Sequence, residues 1–142
     1  MDLKLIETNL NDCFIILVKP YSDIRGNFVK TFSQKTFKNY NLNVDWVEQY
    51  FTFSESNVLR GLHFQTPPHD HAKLVFCVSG KVHDVMLDLR KNSPTYGNNF
   101  SIDLTDENGI ILYIPSGIAH GFCTLENSAT LVYNVSSLYN KE

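Results

Sequence analysis

Turn signals recur along this chain so closely that little room is left for helices. The clusters are Asp23-Ile24-Arg25-Gly26, Pro67-Pro68, Ser79-Gly80, Asn92-Ser93-Pro94, Asn108-Gly109 and Pro115-Ser116-Gly117. Gly, Pro and Asn supply the backbone angles that tight turns need. The apolar segments between them have the length of strands rather than of helices. Strands are therefore expected over residues 13–18, 27–32, 45–51, 57–64, 73–79, 81–89, 99–104, 110–114, 121–125 and 129–135. One short helix is expected over residues 33–40, with Ser33 as its N-cap. Many short strands at this spacing predict an all-β sandwich or closed barrel. The 142 residues suffice for a single domain, 1–142, with its own core.

Formal net charge is −3, so no global field draws the molecule to nucleic acid or to an anionic membrane. A phosphate-bearing ligand would have to meet a local Arg or Lys cluster. Cys13, Cys77 and Cys123 are odd in number and widely spaced, with no C-x-x-C among them. They read as buried free thiols, and with no signal-peptide pattern at the N-terminus they predict the cytoplasm.

Alternation along the strands puts particular polar groups among apolar ones. His63 shares a face with Leu59 and Gly61, and Lys73 with Val75 and Cys77. Asp84 shares a face with Val82 and Met86, and Tyr133 with Leu131 and Val135. Polar groups on inward faces are costly as mere core, so their convergence would make a site. Taken singly, each has an ordinary reading. Arg60 passes for a surface charge, His63 and His120 for packed rings, and Arg25 for the tip of a hairpin.

Taken together, the phrases VLRGLHFQTPP, AKLV, VHDVMLDLRKNSPTYG, LYIPSGIAHGF and LVYNVSSLY resemble the dTDP-4-dehydrorhamnose 3,5-epimerase family, with DIRGNF as a weaker match. The resemblance spans nearly the whole chain. It implies a cupin-like, antiparallel jelly-roll barrel, a homodimer, and epimerisation of a nucleotide-diphosphate-linked 4-keto-sugar at C3, C5 or both, without cofactor. It implies His63 as the base, Lys73 as the cation beside the keto oxygen, and Tyr133 as the acid on the other face. Arg60 and Arg25 then lie at the diphosphate, Phe28 and Tyr139 near the ligand, and His120 and Asp84 as supports.

The residue types suit that chemistry. A C–H beside a ketone is acidic when the enolate oxygen is stabilised by a positive charge in a dry pocket, and an imidazole titrates near neutrality. Metal is not expected. In the cupin metal motif, Gly80 fixes the carboxylate ligand at position 73, which is Lys73, and the paired histidine positions fall on Pro67 and His69. An ammonium cannot coordinate, so His69 and His71 are expected to be loop residues.

Three departures from the family pattern stand out. The family's Gln and Asn before R-G-L-H are Glu48 and Tyr50 here, so Glu48 is expected at the ligand with an added charge. The family's Glu in D-x-R-G-x-F-x-E is Lys30. The family's Asp that pairs with the base falls beyond Glu142, which leaves Asp84 as a possible substitute. A weakly catalytic sugar-nucleotide-binding relative and a sugar-nucleotide keto-isomerase are the competing readings.

Overall fold

The computed structural model describes residues 1–141. Its elements are β1 (Leu3–Glu7), β2 (Phe14–Val18), β3 (Tyr21–Asp23), β4 (Gly26–Phe28), α1 (Gln34–Asn39), β5 (Glu48–Glu55), β6 (Leu59–His63), β7 (Lys73–Asp88), β8 (Asn99–Thr105), β9 (Ile110–Ile114) and β10 (Ile118–Val135). All strand pairings among them are antiparallel.

Two long strands organise the barrel. β7 and β10 pair from Lys73↔Val135 to Ile118↔Asp88, with register shifts between Thr124 and Ala129 and between Thr130 and Leu131. One half of this ribbon carries β9, β2 and β1 on one side and β5 on the other. The other half carries β8 and β6. The ribbon thus belongs to two facing layers, the jelly-roll arrangement expected from the sequence. Gly80 sits at the bend with φ +78°, and a Cβ there would lie 2.1 Å from the Ser128 carbonyl oxygen, so only glycine fits.

The main core lies between the layers. It joins Val75, Leu131 and Tyr133 from one half to Val82, Met86, Leu104 and Phe122 from the other. A second cluster covers the outside of the larger layer, where Phe37 of α1 and Leu42 pack on Ile16, Leu74, Phe76 and Ile111. Ser33 caps α1 as expected, its hydroxyl accepting from the Thr36 N–H at 3.5 Å.

The structure corrects several boundaries. The expected strands 73–79 and 81–89 merge into the one bent β7, which ends at Asp88, and 121–125 and 129–135 merge into β10. Among the described residues the segment 27–32 pairs only at Asn27 and Phe28, in a separate two-stranded hairpin with β3. Neither β1 nor β3 was expected, and both run along an edge or in that hairpin, where alternation is weakest.

Candidate active site

A cavity of about 1000 Å³ opens at one end of the barrel. β5 lines it with Glu48, Tyr50 and Thr52, which alternate along the strand with the outward Phe51 and Phe53. β6 contributes Leu59, Arg60 and His63, and the loop after it adds Gln65, His69 and His71. Lys73 stands at the start of β7, and Tyr139 closes the rim from the C-terminal segment.

Strict alternation would set Arg60 and His63 on opposite faces. A register shift prevents this: His63 faces His120 and Arg60 faces Phe122, so β6 holds one extra residue. Gly61 takes up the irregularity with φ +110°. The Arg60 guanidinium is aimed by its neighbours, donating to the Ser54 hydroxyl at 2.9 Å and to the Phe53 carbonyl at 3.1 Å.

Behind the cavity wall lies a buried polar row. The His120 ring meets the Asp84 carboxylate at 2.7 Å, both side chains being fully buried. Ring centroids of His63 and His120 are 6.4 Å apart, and those of His120 and Tyr133 are 6.1 Å apart. Tyr50 stacks on Tyr133 at 5.0 Å and 14°, and Tyr50 rather than Tyr133 lines the cavity. Asp84 hydrogen-bonds to His120 and does not pair with His63. It is therefore no substitute for a carboxylate on the base.

Electrostatics set the protonation states. Burial, the Lys73 ammonium and His120 lower the His63 pKa to about 4, so its imidazole is neutral at pH 7. Burial lowers Lys73 to about 8, with Asp84 pulling the other way. Lys73 is only 2% exposed, and its Nζ has no hydrogen-bond partner among the described residues. Burial raises the Tyr133 phenol well above the usual tyrosine range, the adjacent Thr52 hydroxyl opposing it, so Tyr133 stays protonated.

Not every expected residue meets the cavity of its own chain. Arg25 and Phe28 sit on the β3–β4 hairpin. Arg25 pairs with Asp23 at 2.6 Å and is 83% exposed, and Phe28 is also exposed. Neither is on the cavity wall, which corrects their expected place within one chain. His69 and His71 are loop residues as expected, but both line the cavity. Gln65 and His71 were missed as site residues because a loop has no periodicity to read. Only the presence of Gln65 within the RGLHFQ phrase marked it. Among the described residues, no group of three or more His, Cys, Asp or Glu side chains is placed to hold a metal ion. No described helix is long and apolar enough to cross a membrane.

A jelly-roll barrel that gathers a neutral imidazole, an ammonium without a hydrogen-bond partner among the described residues and a guanidinium around one cavity has the outline of a barrel enzyme for anionic, carbonyl-bearing ligands. The comparisons name that class more closely. The model of the dTDP-4-dehydrorhamnose 3,5-epimerase family matches residues 7–142. The dTDP-4-dehydrorhamnose 3,5-epimerase of Shigella flexneri is 41% identical over 98% of this chain and 77% of its own length. The crystal structure of that enzyme from Elizabethkingia anophelis superposes with TM-score 0.92 at 41% identity, covering 98% of this chain and 76% of the other. A third relative is the dTDP-6-deoxy-D-glucose-3,5-epimerase of Legionella pneumophila, solved in complex with dTDP-4-keto-L-rhamnose. It superposes with TM-score 0.93 at 35% identity, over 98% of this chain and 74% of the other. The chain belongs to the dTDP-4-dehydrorhamnose 3,5-epimerase family.

Proposed function

We propose that this protein epimerises a dTDP-linked 4-keto-6-deoxyhexose at C3, C5 or both, by proton abstraction and reprotonation without a metal. The observation that carries this is the pairing, on one cavity wall, of a neutral His63 with a Lys73 Nζ that has no hydrogen-bond partner among the described residues. His63 takes the proton from the carbon beside the ketone and becomes imidazolium. The C–H electron pair moves onto the carbonyl oxygen, where the Lys73 ammonium stabilises the enolate. Tyr133, which lies behind Tyr50 on that wall, then gives its O–H proton to the same carbon from the opposite face as Tyr50 moves aside, and solvent restores both groups. Arg60 takes the diphosphate, Tyr139 borders the ligand, Glu48 lines its path, and the Asp84–His120 pair keeps the back wall polar and rigid.

The functional unit we infer is a homodimer in which the β3–β4 hairpin of one copy brings Arg25 and Phe28 to the cavity of the other. The exposure of Tyr21, Ile24 and Phe28 on that hairpin supports this reading. The three thiols, all free, fit the reducing cytoplasm. One feature favours the competing reading of a binding protein with little catalysis: no carboxylate hydrogen-bonds to His63 among the described residues.

Proton NMR of a dTDP-linked 4-keto-6-deoxyhexose in D₂O decides between them. Wild-type protein is expected to introduce deuterium beside the ketone and to go on doing so after exhaustive chelation with EDTA. His63→Asn abolishes uptake. Tyr133→Phe keeps exchange on the His63 face but loses inversion by about 10²-fold, the usual worth of a positioned acid. A wild-type protein that binds the sugar nucleotide without exchange makes it a binder. Loss of exchange on chelation, restored by one divalent ion, rejects the metal-free mechanism.

A further inference from the structure

Gln65 and His71 have no part in the mechanism above, yet both line the cavity. The Asn140 backbone N–H, which can only donate, lies 2.8 Å from Gln65 Oε1. That contact fixes which end of the carboxamide is oxygen. Gln65 Nε2 then faces three groups: the His69 carbonyl at 2.7 Å, His71 Nδ1 at 3.1 Å and the Leu138 carbonyl at 3.2 Å. An amide nitrogen donates and cannot accept. His71 Nδ1 is therefore the lone-pair nitrogen, and the ring hydrogen sits on Nε2.

His71 Nε2 has no hydrogen-bond partner among the described residues and is not sealed in the interior. Burial, then Lys73, then His63 push the ring toward its neutral form, Asp70 opposing them. His71 stands two residues before Lys73 and feels both Lys73 and His63, so it borders the place where the ketone reacts. A neutral N–H beside a cation suits an uncharged sugar oxygen. A phosphate would call for charge, which Arg60 supplies elsewhere on the wall.

We infer that His71 is a substrate-binding residue, donating from Nε2–H to a sugar oxygen next to the one Lys73 meets, and that Gln65 is the positioning residue that sets its tautomer. The substrate role rests on the epimerase reading above; the tautomer does not.

Two measurements test the inference. Ring ¹⁵N–¹H NMR of His71, without substrate, is expected to show Nε2–H with Nδ1 as acceptor. Gln65→Glu, whose carboxylate only accepts, is expected to reverse this to Nδ1–H. A wild-type ring protonated at Nδ1 overturns the assignment to Gln65. In kinetics with a dTDP-linked 4-keto-6-deoxyhexose, His71→Leu is expected to raise KM about tenfold and leave kcat within about threefold, the signature of one lost ground-state hydrogen bond. His71→Gln, whose amide reaches the place of Nε2, is expected to stay within about threefold of wild type. An equal loss in both variants assigns His71 to packing and overturns the substrate role, as does an unchanged KM in His71→Leu. If the wild-type protein shows no turnover at all, the epimerase reading falls and the substrate role with it, while the tautomer measurement still decides the role of Gln65.

Discussion

Lys73 and His63 keep their usual pKa order, but both are lowered, and both are lowered first by burial. The base is ready above about pH 4, and the cation persists up to about pH 8. The free enzyme should therefore show kcat/KM with an acid limb near 4 and an alkaline limb near 8, measured by initial rates across pH. An acid limb near 6.5, the ordinary histidine value, would mean that the cavity does not depress His63. The same shift has a sign for stability. Between about pH 4 and 6.5 the unfolded chain binds a proton at His63 and at His71 that the folded chain refuses. This share of stability is thus complete above 6.5 and is lost as pH falls toward 4.

At the level of elements, the site depends on how closely β6 lies on β10. Their backbones meet at two glycines: a Cβ on Gly121 would stand 2.6 Å from the Arg60 carbonyl oxygen, and one on Gly61 would stand 2.7 Å from Gly121 Cα. Gly121→Ala must push β6 outward and carry Arg60 and His63 with it. We expect a loss of about 1–3 kcal/mol in urea unfolding, with kcat/KM reduced at least about tenfold. Wild-type kinetics in this variant would show that β6 can move without moving the base. The same contact explains what the sequence could and could not reveal. Lys73 with Val75 and Cys77, and Asp84 with Val82 and Met86, were legible as inward faces because the Ser79-Gly80 turn signal divides β7 where its alternation reverses. Arg60 beside His63 was hidden, because a one-residue bulge inverts alternation and leaves only a glycine as its mark. Gln65 and His71 lay in a loop whose geometry comes from hydrogen bonds to residues some 70 positions away in the chain. The chemical types of the site came through the motif phrases; the place of Arg25 and Phe28 did not, since a hairpin's position depends on what it packs against.

At the scale of the whole molecule, the barrel leaves apolar surface on its open side. Among the described residues β5 pairs only with β10, and Val47, Phe51 and Phe53 are exposed beside its other edge. An exposed edge of this kind invites pairing unless a partner covers it. Light scattering at micromolar concentration is expected to give twice the chain mass of 16.3 kDa, and Phe51→Lys with Phe53→Lys to give the monomer. A concentration-independent monomer for the wild type would reject the dimer and leave the β3–β4 hairpin without its assigned place. The edge position of β5 has a further consequence. Glu48 and Tyr50 hang on a strand bound on one side only, whereas Lys73, Asp84, His120 and Tyr133 are set in the two strands that hold both layers together. Evolution can rewrite what the cavity admits by editing that margin. Lys73 and Tyr133 are inherited with the frame itself, and a lineage that lost them to backbone change would lose the barrel as well, whereas the base His63 rides on β6 and depends on its contact with β10.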